Sequence, residues 1–333
     1  MGPSPWLFGI GLAWVVFTPA ASAGEPQDIR LGPPLACDGG RTCVVQNYVD
    51  TDPGPGAKDY RCGGQTYQGH NGVDFRIPDM AAQKRGVQVL AAADGVVLRL
   101  RNTAQDISIR ATGAPSVTGQ ECGNGLVISH ADDWETQYCH MAEKSLVVKV
   151  GQHVKAGAVL GRVGLSGMTE FPHLHLTVRH KGQVVDPFGP SLASGTCTPI
   201  AGRTLWNDAA EKAFNYRSGA VLNSGFSSTE VSMEGIEQAQ LPPPRSEQPY
   251  LFAYVRAIHL EAGDIRVLTI TGPDGKVLAN GRWPALDHDK AQEFVYAGLR
   301  RPASGWTRGE YRASFSVIRD KVAVLGKTFT TGL

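Results

Sequence analysis

EFPHLHLTVRH, residues 170–180, sets two histidines on either side of one leucine in a run that otherwise has the alternation of a β-strand. Successive side chains of a strand point to opposite faces. Leu174, Leu176 and Val178 therefore share one face, and His173, His175 and Thr177 share the other. Two imidazoles side by side on a rigid strand can hold a metal or move protons. The same spacing also suits a partly exposed strand with polar residues on its solvent side. Partners elsewhere in the chain decide between the two.

The rest of the sequence extends the strand pattern. Gly (40) and Pro (21) are abundant in the 333 residues and long amphipathic helical patterns are scarce, which favours an all-β, antiparallel architecture with many turns. The length exceeds a single typical domain. A hydrophobic content of 42% with 19% charged residues suits a packed core, and a formal net charge of +1 gives no reason to expect nucleic-acid binding. Residues 41–190 are dense in short strands. GVQVLAAADGVVLRL reads as a strand, a turn at Asp94-Gly95 and a strand, and NGLVISHADDWETQYCHM as another hairpin. VVKVGQHVKAGAVLGRVG alternates apolar residues with Gly-rich turns, and HLHLTVRHKGQVVDPF closes the set with a turn at Lys181-Gly182. Residues 24–40 read as an N-terminal spacer. Residues 191–215 read as a linker with one short helix in WNDAAEKAFNY. Residues 216–333 carry longer strands with the rhythm of an immunoglobulin-like β-sandwich, without cysteine and without a second cluster of His, Asp or Glu.

The first 23 residues read as a secretion signal: WLFGIGLAWVVF is an apolar core, and Ala21-Ser22-Ala23 is a small-x-small cleavage site. An uncleaved anchor is the rival reading, against which stand the shortness of the apolar stretch and Pro19 at its end. Export to the periplasm or the extracellular space puts Cys37, Cys43, Cys62, Cys122, Cys139 and Cys197 in an oxidising compartment. There an even count without a C-x-x-C pair points to disulfides. Spacing leaves their connectivity open. A simple turn at Asp132-Asp133 sets Cys139 nearer Leu126 than Cys122, so a Cys122–Cys139 bond requires Gly123 and Gly125 to bend the chain back.

The histidine pair has two sets of partners. YQGHNGVDFRI, residues 67–77, holds His70 and Asp74, and Gly69 and Gly72 argue for a tight turn entering the strand VDFRI rather than for a helix. Alone, these are equally a loop histidine and a turn aspartate. TQYCHM, residues 136–141, brings His140, which strand alternation places on the face of Tyr138.

H-x-x-x-D, then Y-x-H, then H-x-H, in that order, resemble the lysostaphin/LytM-type zinc endopeptidases of bacterial cell walls. GHNGVDF, GVQVLAAADGVV, GNGLVISH, YCHM, VGQHVKAGAVLGRVGLSG, PHLHLTVR and VDPF extend the resemblance over about residues 60–190. It implies a small antiparallel β core of the duplicated hybrid motif type, with one zinc ion in a groove above the sheet. It assigns the zinc ligands to His70, Asp74 and His175 and two unliganded catalytic histidines to His140 and His173. The substrate it implies is peptidoglycan, cut at its peptide cross-links. Two other functions suit the same family: a non-hydrolytic activator of a cell-wall amidase, and a secreted protease acting on glycine-rich proteins. Zinc lowers the pKa of a bound water from 15.7 to roughly 7, and a histidine can serve as general base where no H-E-x-x-H glutamate exists. Tyr60, Tyr67 and Tyr138 are candidate oxyanion donors, and His130 reads as structural. RNTAQDISIRATGAPSVTGQEC, residues 101–122, reads as an insert forming a wall of the groove. Residues 216–333 read as a positioning unit that contacts the wall or a partner, or covers part of the groove. After signal cleavage no stable membrane span is expected.

Overall fold

The structure, a computed structural model, describes residues 1–2, 29–189 and 204–333. Beyond its first two residues the expected signal lies outside the described residues, as do most of the expected linker and Cys197. Among the described residues no helix is long and apolar enough to cross a membrane.

The chain is all-β with antiparallel sheets, as the sequence predicts. The N-terminal part contributes β1 (Val44–Asn47), β2 (Val73–Arg76), α1 (Met80–Arg85), β3 (Gln88–Leu90), β4 (Gly95–Arg101) and α2 (Ile109–Thr112). It continues with β5 (Asn124–Ser129), β6 (Trp134–Met141), β7 (His153–Val154), β8 (Val159–Arg162), β9 (His173–His180) and β10 (Gln183–Val184). The main sheet runs β1-β2-β9-β6-β5-β4-β7, with β10 paired to β9. Period-2 alternation gives it one apolar face: Val73 and Phe75 of β2, Leu126 and Ile128 of β5, Tyr138 of β6, and Leu174, Leu176 and Val178 of β9 are buried in one core. His173, His175 and Thr177 consequently lie on the opposite face.

The expected turn chemistry is present. Asp132 and Asp133 both take positive φ (54° and 58°) between β5 and β6, and Lys181 and Gly182 do so (50° and 79°) between β9 and β10, as two-residue hairpins with right-handed strand twist require. GVQVLAAADGVVLRL is not a hairpin. Its β3 pairs with β8, and its β4 pairs with β5 and β7. Ala91, Ala92 and Ala93 carry the chain between the two sheets as buried backbone, with Ala92 N–H donating to Tyr138 Oη at 2.8 Å.

The stretches read as spacer and linker belong, where described, to the core. Leu31 and Leu35 are buried with Leu205, Trp206 and Phe214 against Phe75. Two backbone bonds, Leu31 N to Leu205 O and Asn207 N to Leu31 O (2.8 Å each), zip the segments together. Prolines suggested a spacer, but the isolated leucines between them act as anchors. The expected short helix is α3 (Asp208–Ala213), capped by Asn207 Oδ1 accepting from Ala210 N.

Residues 220–332 add β11 (Ala220–Ser227), α4 (Met233–Glu237), β12 (Tyr250–Leu260), β13 (Ile265–Thr271), β14 (Val277–Arg282), β15 (Lys290–Arg300), β16 (Glu310–Arg319) and β17 (Val322–Gly332). They form two antiparallel sheets, β11-β12-β15 and β14-β13-β16-β17. Alternating residues such as Leu251, Ala253 and Val255 on β12 and Ala313, Phe315 and Val317 on β16 join in one buried cluster. This unit packs against the first strands of the N-terminal sheet: Val44 is buried with Ala220, Leu222 and Ile258. At the same junction His259 Nε2–H donates to Gln46 O at 2.6 Å.

Burial pushes His259 down to about 4, against the smaller opposing pull of the Gln46 carbonyl. The unfolded histidine titrates near 6.5, so it takes up a proton before the folded one does. Its contribution is therefore complete above about pH 6.5 and is lost as pH falls toward 4, at a cost on the order of 3 kcal/mol. His259→Gln keeps a donor and removes the titration. Urea midpoints between pH 7 and 4 should fall less steeply for this variant than for the parent, and parallel curves would contradict the assignment.

Candidate active site

β2 and β9 are neighbours, and Asp74 lies directly opposite His175 in their register. Directly opposed side chains share a face, so both project from the face away from the core. His70 arrives from the turn that precedes β2. Its approach needs Gly72, where a Cβ would sit 2.4 Å from His175 Nε2.

His140 reaches the same place by breaking the alternation of β6. Tyr138 stands opposite Leu176 on the core face, fully buried, and Cys139 stands opposite His175 on the other face. Continued alternation returns residue 140 to the core. Instead His140 adopts φ 61°, left-handed and uncommon for a residue with a side chain, so that two residues of β6 oppose Gly125 alone in a β-bulge. The expectation that Tyr138 and His140 share a face is thus incorrect, because one left-handed residue resets the pattern. The bulge needs Gly125, where a Cβ would lie 2.1 Å from Tyr138 O. It also brings Cys122 to Cys139, with Cα atoms 4.8 Å apart in a disulfide; of the two glycines expected to bend the chain, Gly123 is left-handed (φ 64°) and Gly125 lies within β5. His140 N–H donates to Cys122 O at 2.8 Å. Cys37 and Cys43 form another disulfide, and Cys62 is disulfide-bonded as well.

Asp74 Oδ1 lies 2.9 Å from His175 Nδ1, 3.2 Å from His70 Nε2 and 3.4 Å from His173 Nε2. His70 Nε2 and His175 Nδ1 are 3.2 Å apart. The second carboxylate oxygen accepts from Asn47 Nδ2 at 2.8 Å. His70 Nδ1 stands 2.7 Å from Tyr48 O. A carbonyl can only accept, so Nδ1 carries the proton and Nε2 turns a lone pair toward the carboxylate. Burial works to raise Asp74, but the charges of His173 and His70 and the imidazole hydrogen bonds hold it well below the usual carboxylate range. A lone pair and a carboxylate oxygen facing each other at this distance repel until a proton or a cation lies between them. Ligands about 2.0 Å from one tetrahedral ion stand roughly 3.3 Å apart. His70, Asp74 and His175, whose ligand atoms all lie within 4.8 Å of one another, therefore suit a single divalent cation.

The two remaining histidines are held alike. His140 Nδ1 donates to Ser166 O at 2.9 Å, and His173 Nδ1 to Phe171 O at 3.0 Å, with Thr169 Oγ1 3.1 Å away. His140 Nε2 is left for the site, and His173 Nε2 faces Asp74 Oδ1 at 3.4 Å. Their rings are 4.7 Å apart, and that of His140 is 5.9 Å from that of His175. Burial holds His140 well below the ordinary imidazole range, reinforced by the charges of His173 and His175. A cleft of about 380 Å³ opens over these groups, bordered by Tyr67, His70, His140, His175, Thr177 and Arg179.

All five candidate residues thus come together, and of them His70, His140 and His175 border the cleft. Of the three tyrosines only Tyr67 borders it, its ring 4.5 Å from that of His70. Tyr60 packs among Tyr48, Phe188 and Tyr216, and Tyr138 is in the core. His130 bridges Asp94 O and Thr136 Oγ1, a structural role. The insert at 101–122 packs on the segment before His173, with Ile109 N bonded to Thr169 O, and its Glu121 and Cys122 border the cleft. Asn47, Ser166 and Arg179 escaped the sequence reading. The strand alternation of HLHLTVR places Arg179 on the histidine face and could have found it. Asn47 and Ser166 act through contacts between distant segments that spacing does not encode.

The antiparallel sheet thus carries two imidazoles and a carboxylate that could share one cation, with two more imidazoles beside an open cleft. Residues 68–187 match Peptidase family M23, and the chain carries a Peptidase M23 domain. It is 33% identical over 130 residues to the cell division protein DipM of Caulobacter vibrioides, covering 38% of this chain and 18% of that protein. It is 29% identical over 130 residues to the peptidoglycan DD-endopeptidase ShyA of Vibrio cholerae, covering 39% and 25%. The chain therefore spans a quarter or less of these curated relatives. Among solved structures, a point mutant of the catalytic domain of the prophage-encoded M23 protein EnpA from Enterococcus faecalis is 25% identical at a TM-score of 0.30, covering 44% of this chain and 88% of that one. The family implies a metal, and His70, Asp74 and His175 form a cluster that could hold one.

Proposed function

We propose that this protein is an exported, zinc-dependent endopeptidase that hydrolyses peptide cross-links of bacterial peptidoglycan. The convergence of His70 Nε2, Asp74 Oδ1 and His175 Nδ1 beside the imidazoles of His140 and His173 carries the reading. Two nitrogens and one oxygen suit zinc, and three protein ligands leave a position for water, as catalytic zinc requires. Bound zinc supplies Lewis acidity and a water acidified to near neutral pH. His140 is the proton acceptor in this reading: burial keeps it neutral, and its Nδ1–H is engaged with Ser166 O. His173, with Asp74 Oδ1 3.4 Å from its Nε2, takes the complementary role at the carbonyl oxygen or the leaving amine.

Zymography on purified cell walls, run beside casein and elastin, with mass spectrometry of the released muropeptides, tests the function. Wall lysis that stops with a chelator and returns with zinc supports it. Intact walls together with stimulation of an added amidase would identify an activator instead, and cleavage of elastin alone a general protease.

Residues 41–190 form the catalytic unit in this proposal. Residues 216–333 form an immunoglobulin-like sandwich that bounds the groove on the side of β1 and β2 and supplies a surface for the wall or a partner. Export is supported by the disulfides of Cys37–Cys43 and Cys122–Cys139. Thiol titration of denatured protein from the periplasm or culture medium should find almost no free thiol. Two or more reactive thiols there would contradict both the bridges and the export.

A further inference from the structure

We propose that Arg179 anchors a free carboxylate of the substrate peptide at the end of the cleft away from the metal position. The inference rests on the peptidase reading and adds the chemistry that substrate must carry. Arg179 lies on β9, on the same face as His175 and Thr177, and borders the same cleft. Four residues of strand set its Cα about 13 Å from that of His175. That is the reach of about four extended residues, or fewer where the carboxylate ends a long side chain.

The guanidinium is unmatched. The side chain of Arg179 makes no hydrogen bond or ion pair with any described residue, and its Nη1 is buried without a partner. Arg179 as a whole is half-buried; the buried Arg76, Arg256 and Arg266 by contrast each pair with a carboxylate. Glu135, opposite it on β6, stands outside ion-pair distance, and Arg99 adds a further positive charge. An adjoining cavity of about 220 Å³, which shares Cys122 and Gln137 with the cleft, is lined by Arg99 and Arg101. Arg101 is already engaged with Gly123 O and Gln120. On β9 the neutral Thr177 separates His175 from Arg179, and the cleft is bordered as well by neutral Gln137 and by one carboxylate, Glu121.

The opposite direction is occupied. Beyond Asp74 on the same face comes Arg76, fully buried under the ring of Phe171 at 3.9 Å and bound to Glu237. A peptide lying over the metal position therefore extends toward Arg179. A planar guanidinium with a free edge is matched by a carboxylate, which two parallel N–H···O bonds can hold.

The test uses the full chain and dimeric stem peptides with free side-chain carboxylates, beside twins in which those groups are carboxamides. Steady-state cleavage gives KM and kcat, and anisotropy of the dye-labelled peptides on His140→Ala protein gives affinity without turnover. The parent should favour the carboxylate form by about 10- to 100-fold in KM and in Kd. Arg179→Gln should abolish that preference while leaving the carboxamide twin within about twofold, and Arg179→Lys should retain part of it. The carboxamide twin controls for folding, since a misfolded variant loses both peptides. Equal use of both forms by the parent, no binding of the carboxylate form, or a preference that survives Arg179→Gln would overturn the anchor. Carboxylate-selective binding without any hydrolysis by the parent would sustain the anchor and sink the peptidase reading.

Discussion

Asp74→Ala should release the metal and lower wall hydrolysis by at least about a thousandfold. Two imidazoles alone remain in that variant, and a two-ligand site holds zinc far more weakly than the three ligands catalytic sites use. The loss is also electrostatic. Asp74 is the fully buried anion around which His70, His173 and His175 gather, and without it three imidazoles face one another with no negative charge. His140→Ala gives the contrast. Its Nε2 is not among the three converging ligand atoms, so this variant should keep stoichiometric metal and lose about 10²- to 10⁴-fold in kcat, the usual share of one general acid or base. Metal analysis of purified proteins beside a wall-turbidity assay separates the two cases. Full metal in the Asp74 variant would remove that residue from the ligand set.

Glu237→Ala should be the most destabilising single change at the junction of the two parts of the chain. Glu237 lies at the end of α4 and binds Arg76 Nη2 at 2.7 Å and Arg256 Nη1, both arginines being fully buried. Its removal strands two cations in a region water does not reach. Breaking one buried pair in this way costs about 3–5 kcal/mol, against about 0–1 kcal/mol for an exposed pair such as Lys155–Asp94. Because Arg76 is two residues from Asp74 and opposite His173, activity should fall along with the melting temperature. Lys155→Ala is the control and should melt with the parent. An unchanged melting temperature in the Glu237 variant would mean that water or rearranged side chains reach the two arginines.

The fold class and the grouping of the candidate site were legible because they rest on local rules. The period-2 run of HLHLTV fixed which face of β9 is core, and the Asp-Asp and Lys-Gly pairs announced their hairpins. The errors came where a distant contact overrides a local one. Leu31 and Leu35 look like a spacer until Trp206 and Phe214 arrive from the far side of the sheet. Strand alternation sent His140 toward Tyr138 and the core, because nothing in TQYCHM signals a left-handed histidine. The clue lay in its partner strand, where Gly123 and Gly125 flank the only residue between them and the disulfide closes across the bulge. The Arg76–Glu237–Arg256 cluster was invisible, since its members are scattered along the chain and each alone reads as a surface charge.

Gly72 and Gly125 change how a saturation mutagenesis map of this protein would read. At each, even one added methyl group meets an atom the site depends on: the imidazole of His175 in one case and the backbone beside His140 in the other. Both positions should score as intolerant as the metal-ligand candidates, to alanine as much as to tryptophan, although neither offers an atom to the reaction. What is selected there is vacant volume. A map of this kind ranks empty space and reactive groups alike, and only metal content or pH-rate profiles of the variants tell them apart.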